Sequence, residues 1–207
     1  MTRWYEVRPG RVVSGVVWGA VLVALVTLAW PHARAAWRMA RLLSAEPPAR
    51  VTIPVRGVEP GAFSDTWGAA RSGGRSHQGI DIFARRNTPV VSATEGVVVR
   101  AGENALGGRT ITVMGPGGWR HYYAHLEKWA GREEGDWVLP GDVIGFVGTT
   151  GNAPRDAPHL HYGIYTREGA INPFPFLVAR PDTLSSDTLS SSAGIGASRF
   201  VVSLTRW

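Results

Sequence analysis

Hydrophobic and polar positions divide the chain into three parts. Residues 12–30 form an apolar run without one charged side chain, and a helix of that length, at about 1.5 Å per residue, matches a ~30 Å hydrocarbon core. Ala, Arg and Leu then predominate up to Glu46-Pro47-Pro48, which predicts that the helix continues beyond the apolar run and ends at a linker. In the third part, short apolar runs are separated by Gly and Pro.

The third part carries a strand pattern. Short runs bounded by turn residues, with no long helical period between them, are typical of an antiparallel sheet. The predicted strands are 96–101, 109–114, 119–126, 142–147 and 159–165. The glycines of residues 115–118 precede a β-type run rather than a helix, so they predict a hairpin turn and not a phosphate loop. The predicted fold class is all-β, preceded by one N-terminal transmembrane helix.

The end of the chain differs from the predicted sheet. A tandem duplication of Asp-Thr-Leu-Ser-Ser begins at Asp182 in a stretch too polar to build a core. The predicted segments are a cytoplasmic N-terminus (1–11), a transmembrane signal-anchor helix (12–30), a juxtamembrane helix and linker (31–50), a folded domain (51–180) and a Ser-rich flexible tail (181–207).

The formal charge of +6 lies almost entirely beside the apolar run. The first 50 residues hold seven Arg and two Glu, whereas the rest holds fifteen Lys and Arg against fourteen Asp and Glu. A nearly neutral folded domain argues against a nucleic-acid partner. The chain has no cysteine, so any metal must be held by His and carboxylate ligands.

The position of the arginines predicts a topology. Arg3, Arg8 and Arg11 precede the apolar run, and positive-inside bias keeps such an N-terminus in the cytoplasm. The folded domain is then expected on the periplasmic or extracytoplasmic side of the cell membrane, anchored by a single span. Residues 33–35 offer a small-x-small pattern for cleavage, so a removed signal peptide is the alternative, although the apolar run is longer than a usual signal core.

Five of the six histidines lie in the folded domain, and their spacing indicates a metal centre. His159 and His161 occupy one predicted strand, where side chains two apart point to the same face. His77 is followed four residues later by Asp81, an acid between apolar residues whose burial without a partner would be costly. Gly79 lies between them and allows the backbone to approach a ligand closely.

One further strand carries two histidines. Period-2 alternation predicts that His121, Tyr123 and His125 share one face of this strand, with Tyr122, Ala124 and Leu126 on the other. Only one of the two histidines need be functional. A packed strand histidine is the expectation for His121.

These residues match the pattern of a known family. The motifs are H-x-G-x-D at His77 to Asp81, Y-x-H-L at Tyr123 to Leu126, and G-x-T-G followed by P-H-L-H from Gly148 to His161. Their order and distances resemble those of lysostaphin-type, or LytM-domain, zinc endopeptidases. The resemblance covers residues 51–177, and Tyr162-Gly163 stands where a Phe-Glu pair is common.

The resemblance implies an activity and a set of roles. His77, Asp81 and His161 would bind one Zn²⁺ per chain, and His125 and His159 would serve catalysis. The domain would then be a zinc-dependent endopeptidase that hydrolyses peptide cross-links or stem peptides of bacterial peptidoglycan by a metal-activated water. Which catalytic histidine is the general base stays open, as do the scissile bond and any protein partners.

Two other functions fit parts of this pattern. Two His and one carboxylate also hold ferrous iron in oxygenases, but two spare histidines beside the site favour hydrolysis. Some members of the lysostaphin/LytM family have lost metal ligands, and they bind the cell wall or activate amidases without being catalysts themselves. An intact ligand set favours the enzyme.

Overall fold

A long helix opens the structure, a computed structural model that describes residues 9–178. This helix, α1, spans Pro9–Ser44, so the predicted continuation beyond the apolar run and the end before Pro47 are confirmed. Its Val17–Ser44 portion is long and apolar enough to cross a membrane, and the apolar window within it is not buried against the rest of the protein. Length and composition of this kind belong to a signal sequence or to an anchor. The predicted tail, 181–207, lies outside the described residues.

The C-terminal end of α1 packs against the β-rich domain. Leu42 is 3% exposed, and the guanidinium of Arg38 lies 5.6 Å from the ring centroid of Trp137. Pro47, just beyond the helix, approaches the turn at Gly117 so closely that a Cβ there would lie 2.7 Å from Pro47 Cγ. The helix therefore meets the domain through specific contacts at one end.

Eleven strands and a short helix form the domain in the described part of the chain. They are β1 (Ala70–Arg71), β2 (Arg75–Ser76), β3 (Ile80–Phe83), β4 (Pro89–Val91), β5 (Gly96–Asn104), β6 (Gly108–Met114), β7 (Arg120–Trp129), β8 (Trp137–Val138), β9 (Val143–Val147), β10 (His159–Tyr165), β11 (Ala170–Ile171) and α2 (Phe174–Val178). The five predicted strands are all present. A 3₁₀ turn at Pro116–Gly118 joins β6 to β7, which confirms the predicted hairpin.

All strand pairings are antiparallel, as the sequence pattern predicts. The main path of the sheet runs β11-β10-β7-β6-β5-β8; β3 also pairs with β10, β9 pairs with β7, and β4 pairs with β9. β1 and β2 form a separate two-stranded hairpin. The strands of the larger sheet share one buried apolar cluster.

The apolar face is filled by aliphatic and aromatic side chains. Its fully buried members include Ile80, Ile111, Ile144 and Leu160. Burial of side chains of this size contributes about 1.5–3 kcal/mol each. The backbone N–H of Val51 donates to the carbonyl oxygen of Phe176 at 3.0 Å, so the beginning and the end of the domain lie side by side.

Candidate metal and catalytic centre

The pairing of β3 with β10 brings two predicted ligands together. Asp81 lies directly opposite His161 in the register of these strands, and directly opposite residues point to the same face. Asp81 Oδ1 lies 3.2 Å from His161 Nδ1 and 3.1 Å from His77 Nε2, and the two nitrogens are 2.8 Å apart. Three donor atoms from three different segments therefore converge on one point.

This triangle of donor atoms fits a tetrahedral metal ion. Ligands bound to zinc at about 2.0–2.1 Å lie roughly 3.3 Å from one another, close to the separations seen here. Three protein ligands with one further position open is the arrangement of catalytic rather than structural zinc sites. The donor set, two imidazole nitrogens and one carboxylate oxygen, therefore matches a metal-binding group of the zinc-peptidase kind.

His77 has its orientation and tautomer set by the backbone. Its Nδ1–H donates to the carbonyl oxygen of Thr66 at 2.7 Å, which leaves Nε2 with a lone pair for a metal. Gly79 follows two residues later, and a Cβ there would lie 2.6 Å from both His161 Cε1 and the Tyr162 carbonyl oxygen. The predicted close approach at this glycine is confirmed.

Asp81 is 7% exposed and has its two oxygens in different surroundings. Oδ1 faces the histidines, whereas Oδ2 accepts a hydrogen bond from the guanidinium of Arg71. Burial raises the pKa of Asp81, but hydrogen bonds and charge from His161 and His77 outweigh it and hold the pKa well below its usual range. The carboxylate is therefore ionised and ready to bind a cation.

His159 and His161 share the pocket face of β10, as the sequence spacing predicts, while Leu160 between them is buried in the core. The Nδ1–H of His159 donates to the carbonyl oxygen of Ala157 at 2.8 Å. Its Nε2 lies 3.9 Å from Asp81 Oδ1. His159 thus stands beside the three donor atoms with one free nitrogen directed toward them.

The prediction that His125 lies on the same face of β7 as His121 and Tyr123 is wrong. Tyr123 is buried in the core, but His125 lines the pocket together with Tyr122 and Ala124, residues predicted to lie on the opposite face. β7 contains one more residue than its partner β6 at this point, because Arg109 pairs with Leu126 and Ile111 with Tyr123. His125 has a φ of +62°, and this bulge breaks the alternation.

The bulge places His125 beside the other histidines. Its ring centroid lies 4.9 Å from that of His159 and 6.0 Å from that of His161. The Nδ1–H of His125 donates to the carbonyl oxygen of Thr150 at 2.8 Å, so Nε2 is free. Burial lowers the pKa of His125 to about 4, so the ring is neutral at pH 7 and able to accept a proton.

Two loops interlock behind His125. The turn before β6 crosses the loop after β9, where the N–H of Asn152 donates to the carbonyl oxygen of Leu106 at 3.0 Å. The Thr150 hydroxyl donates to the carbonyl oxygen of Leu126 and accepts from the N–H of Arg109, each at 2.9 Å. These bonds fix the carbonyl group that orients His125.

An open pocket of about 610 Å³ contains all five predicted site residues. Its lining also includes side chains that sequence reasoning missed: Arg71, Arg75, Asn104, Tyr122 and Tyr165. The two arginines lie on the β1–β2 hairpin, which the sequence pattern did not predict. Tyr122 was assigned to the opposite face from His125, so the missed bulge also concealed its place in the pocket.

His121 is not part of the centre. Its side chain is fully buried, and Nδ1 is 2.7 Å from the hydroxyl of Tyr162. The prediction of a packed strand histidine is confirmed. Burial lowers the pKa of His121 to about 4, so the ring is neutral in the folded protein.

Known proteins are similar in sequence to part of this chain. A family model described as Peptidase family M23 matches residues 75–173. An L-Ala–D-Glu endopeptidase of Bacillus subtilis (strain 168) is 42% identical over 130 residues, which are 57% of this chain and 40% of that protein. Lysostaphin of Staphylococcus simulans is 37% identical over 110 residues, which are 50% of this chain and 22% of that protein. The chain spans less than half the length of these relatives.

Solved structures share the fold. The catalytic domain of lysostaphin from Staphylococcus simulans superposes with a TM-score of 0.52 at 32% identity, over 58% of this chain and 96% of that domain. Csd3 of Helicobacter pylori superposes with a TM-score of 0.52 at 28% identity, over 63% of this chain and 35% of that one. Because nearly the whole lysostaphin domain is matched and the His-Asp-His donor set is intact, the chain belongs to peptidase family M23, as a lysostaphin/LytM-type member.

Proposed function

We propose that this protein is a zinc-dependent endopeptidase that hydrolyses peptide cross-links or stem peptides of bacterial peptidoglycan. The observation that carries the proposal is the convergence of His77, Asp81 and His161 beside two further histidines that are not needed as ligands. A binding module has no use for that second pair. Family membership supports the same reaction class.

The chain's own residues divide the work of hydrolysis. When bound, zinc supplies a Lewis acid that polarises the substrate carbonyl and acidifies water. His125, neutral and with Nε2 free, accepts a proton from the attacking water. His159 also has Nδ1–H bonded to a backbone carbonyl, so its Nε2 can donate a hydrogen bond to the oxygen that gains negative charge only once that nitrogen carries a proton. The two histidines can also exchange these roles.

The substrate proposal draws on the relatives. The Bacillus subtilis relative is named an L-Ala–D-Glu endopeptidase. Lysostaphin is described as an antimicrobial peptidase. A D-alanyl–diaminopimelate cross-link is a further candidate bond. The full-length protein, loaded with zinc in detergent, is incubated with purified peptidoglycan, and the products are identified by mass spectrometry. New free amines on peptides are expected; release of lactyl-linked glycan strands from intact peptides would make the protein an amidase.

We also propose that α1 anchors the protein in the cell membrane with the domain on its extracytoplasmic side. The exposed apolar side chains between Val17 and Trp30 and the arginines before the apolar run support this topology. Reporter fusions after residue 178 are expected to be active only as extracytoplasmic reporters. Activity only as a cytoplasmic reporter would overturn both the topology and access to the cell wall. Membrane fractionation separates an anchor from a cleaved signal sequence.

The metal assignment has its own test. Elemental analysis of the purified full-length protein is expected to give one zinc per chain. Zinc bound in this ratio without release of any peptide from peptidoglycan would instead support a regulator that binds the cell wall or activates amidases. Activity restored by ferrous iron and dioxygen, but not by zinc, would contradict the peptidase proposal.

A further inference from the structure

The β1–β2 hairpin holds two arginines directly opposite each other. Arg71 on β1 pairs with Arg75 on β2, and both side chains line the pocket. Like charges at directly opposite positions of an antiparallel pair destabilise it. The hairpin has only two residues in each strand, so its own backbone bonds offset little of this repulsion. An anion between the guanidinium groups would relieve it.

Each guanidinium is held in place and still has free donors. Arg71 uses Nη2 on Asp81 Oδ2, and its side chain remains 39% exposed. Arg75 donates from Nε to the Ser72 carbonyl oxygen at 3.1 Å and from Nη2 to Ser72 Oγ at 3.4 Å. Within residues 9–178, no carboxylate forms an ion pair with Arg75. Arg75 is therefore an exposed cation that is bonded to its own hairpin and has no counter-charge among these residues.

The charge of the whole pocket favours an anionic occupant. Asp81 is the only carboxylate that lines the pocket within the described residues, and it faces the histidines on one side and Arg71 on the other. A divalent cation at the donor triangle would add further positive charge and engage the same carboxylate. Planar guanidinium groups match a carboxylate through paired N–H donors, a geometry that ammonium groups cannot reproduce.

We propose that the β1–β2 hairpin is a carboxylate subsite, which selects peptide substrates carrying a free carboxylate close to the scissile bond. Arg75 contributes the unpaired guanidinium, and Arg71 adds its free N–H groups while its Nη2 remains on Asp81. The subsite specifies which peptides the proposed endopeptidase prefers, and it rests on that proposed function. It also makes Arg75 a specificity-determining residue whose side-chain hydrogen bonds, within the described residues, go to Ser72 and not to the proposed metal ligands.

A matched pair of substrates tests the subsite. The probes are a cross-linked muropeptide dimer with free stem-peptide carboxylates and the same dimer with those groups converted to carboxamides. The zinc-loaded full-length protein is expected to prefer the carboxylate dimer by about tenfold in kcat/KM, mostly through KM. Arg75→Gln is expected to bring the preference close to one without changing zinc content. Arg75→Lys is expected to restore only part of it.

A control variant separates this effect from loss of general charge. Arg100 is exposed on β5 and does not line the pocket, so Arg100→Gln is expected to keep the full preference. Equal cleavage of both dimers by the unmodified protein, or an unchanged preference in Arg75→Gln, would overturn the subsite while leaving the endopeptidase function intact. If neither dimer is cleaved by zinc-loaded protein, the proposed function itself fails and the subsite fails with it.

Discussion

His125 on β7 donates from Nδ1 to the carbonyl oxygen of Thr150 across 2.8 Å, although the two residues are 25 positions apart in the chain. His159 makes the corresponding bond to Ala157, only two residues away. Both rings are therefore oriented by backbone carbonyl groups, with Nε2 left for chemistry. The three donor atoms of the metal triangle come from other side chains. Substitution of a proposed metal ligand and substitution of a proposed catalytic histidine should therefore have different effects on zinc content and activity.

Truncation of a ligand should remove the metal. On the proposed assignment, His77→Ala, Asp81→Ala and His161→Ala would each delete one of three bonds to zinc, so zinc occupancy and peptidoglycan hydrolysis are expected to fall together. Elemental analysis and turnover are measured on the same preparation of full-length protein. A variant of this group that keeps a full complement of zinc would not be a ligand variant.

Truncation of a catalytic histidine should leave the metal in place. His125→Ala and His159→Ala are expected to retain near-normal zinc while hydrolysis falls by about 10²–10⁴-fold, the range for a positioned acid–base or oxyanion-stabilising group. The same two measurements apply. Loss of zinc from His125→Ala, or full activity of His159→Ala, would show that the histidines have been assigned to the wrong roles.

A methyl group at Gly79 should disturb the metal site. Its Cβ would lie 2.6 Å from His161 Cε1 and from the Tyr162 carbonyl oxygen, so the ligand ring must shift. We expect Gly79→Ala to weaken zinc binding by about 10–100-fold, the usual cost of displacing a group that orients a ligand. Gly102→Ala on β5 is the matched control, because nothing lies within 4 Å of its Cβ position. Equal zinc affinities in a chelator competition would contradict the argument.

Acid should destabilise the fold through His121. Its pKa is lowered to about 4 in the folded protein, from an ordinary value of 6.5. The unfolded chain therefore binds a proton that the folded protein does not, and the stabilisation present above pH 6.5 is lost as pH falls toward 4, by about 3 kcal/mol. Denaturant unfolding of metal-free protein between pH 8 and pH 4 measures it.

A phenylalanine at position 121 provides the control for this pH effect. His121→Phe lowers stability at every pH because the Tyr162 hydroxyl loses its partner. Its dependence of stability on pH between 6.5 and 4 should nevertheless be shallower than that of the unmodified protein. Parallel curves for the two proteins would show that another group causes the acid sensitivity.

The hydroxyl of Thr150 should contribute more to the stability of the fold than the hydroxyl of Thr149. In Thr150→Val the Leu126 carbonyl oxygen and the Arg109 N–H both lose a partner, so the free energy of unfolding is expected to fall by about 1–3 kcal/mol. Thr149→Val loses only an exposed bond with Arg86 and should change it by less than about 0.5 kcal/mol. Similar losses in both variants would argue against a structural role for the Thr150 hydroxyl.

The spacing of residues along the sequence correctly predicted the parts of the centre whose arrangement depends on a single strand. His159 and His161 follow period-2 alternation within β10, and Gly79 allows the approach of His161 that its position suggested. His125 does not follow alternation, because the extra residue in β7 exists only relative to the register of β6. A one-residue bulge of this kind is a property of a strand pair and leaves no signal in either strand alone.

The missed arginines have a similar cause. Arg71 and Arg75 lie in a Gly- and Ser-rich segment whose strands are two residues long, which is too short for any periodicity to show. Their role depends on how the hairpin folds over Asp81, a residue ten positions away from Arg71.

The membrane topology, which was predicted from the arginines before the apolar run, is not tested by the fold. It stays a prediction.

The interlocked loops behind His125 have a consequence for engineering new specificities. Gly108 and Gly151 lie where the two segments cross, and a Cβ on either one would clash with the backbone of the opposite loop. Neither segment can change length or acquire bulk unless the other accommodates it. Chimeras that exchange one of them with a relative should misfold or lose the orientation of His125, whereas joint transplantation of both preserves their fit. New specificities at this rim should therefore be engineered by replacing both loops together.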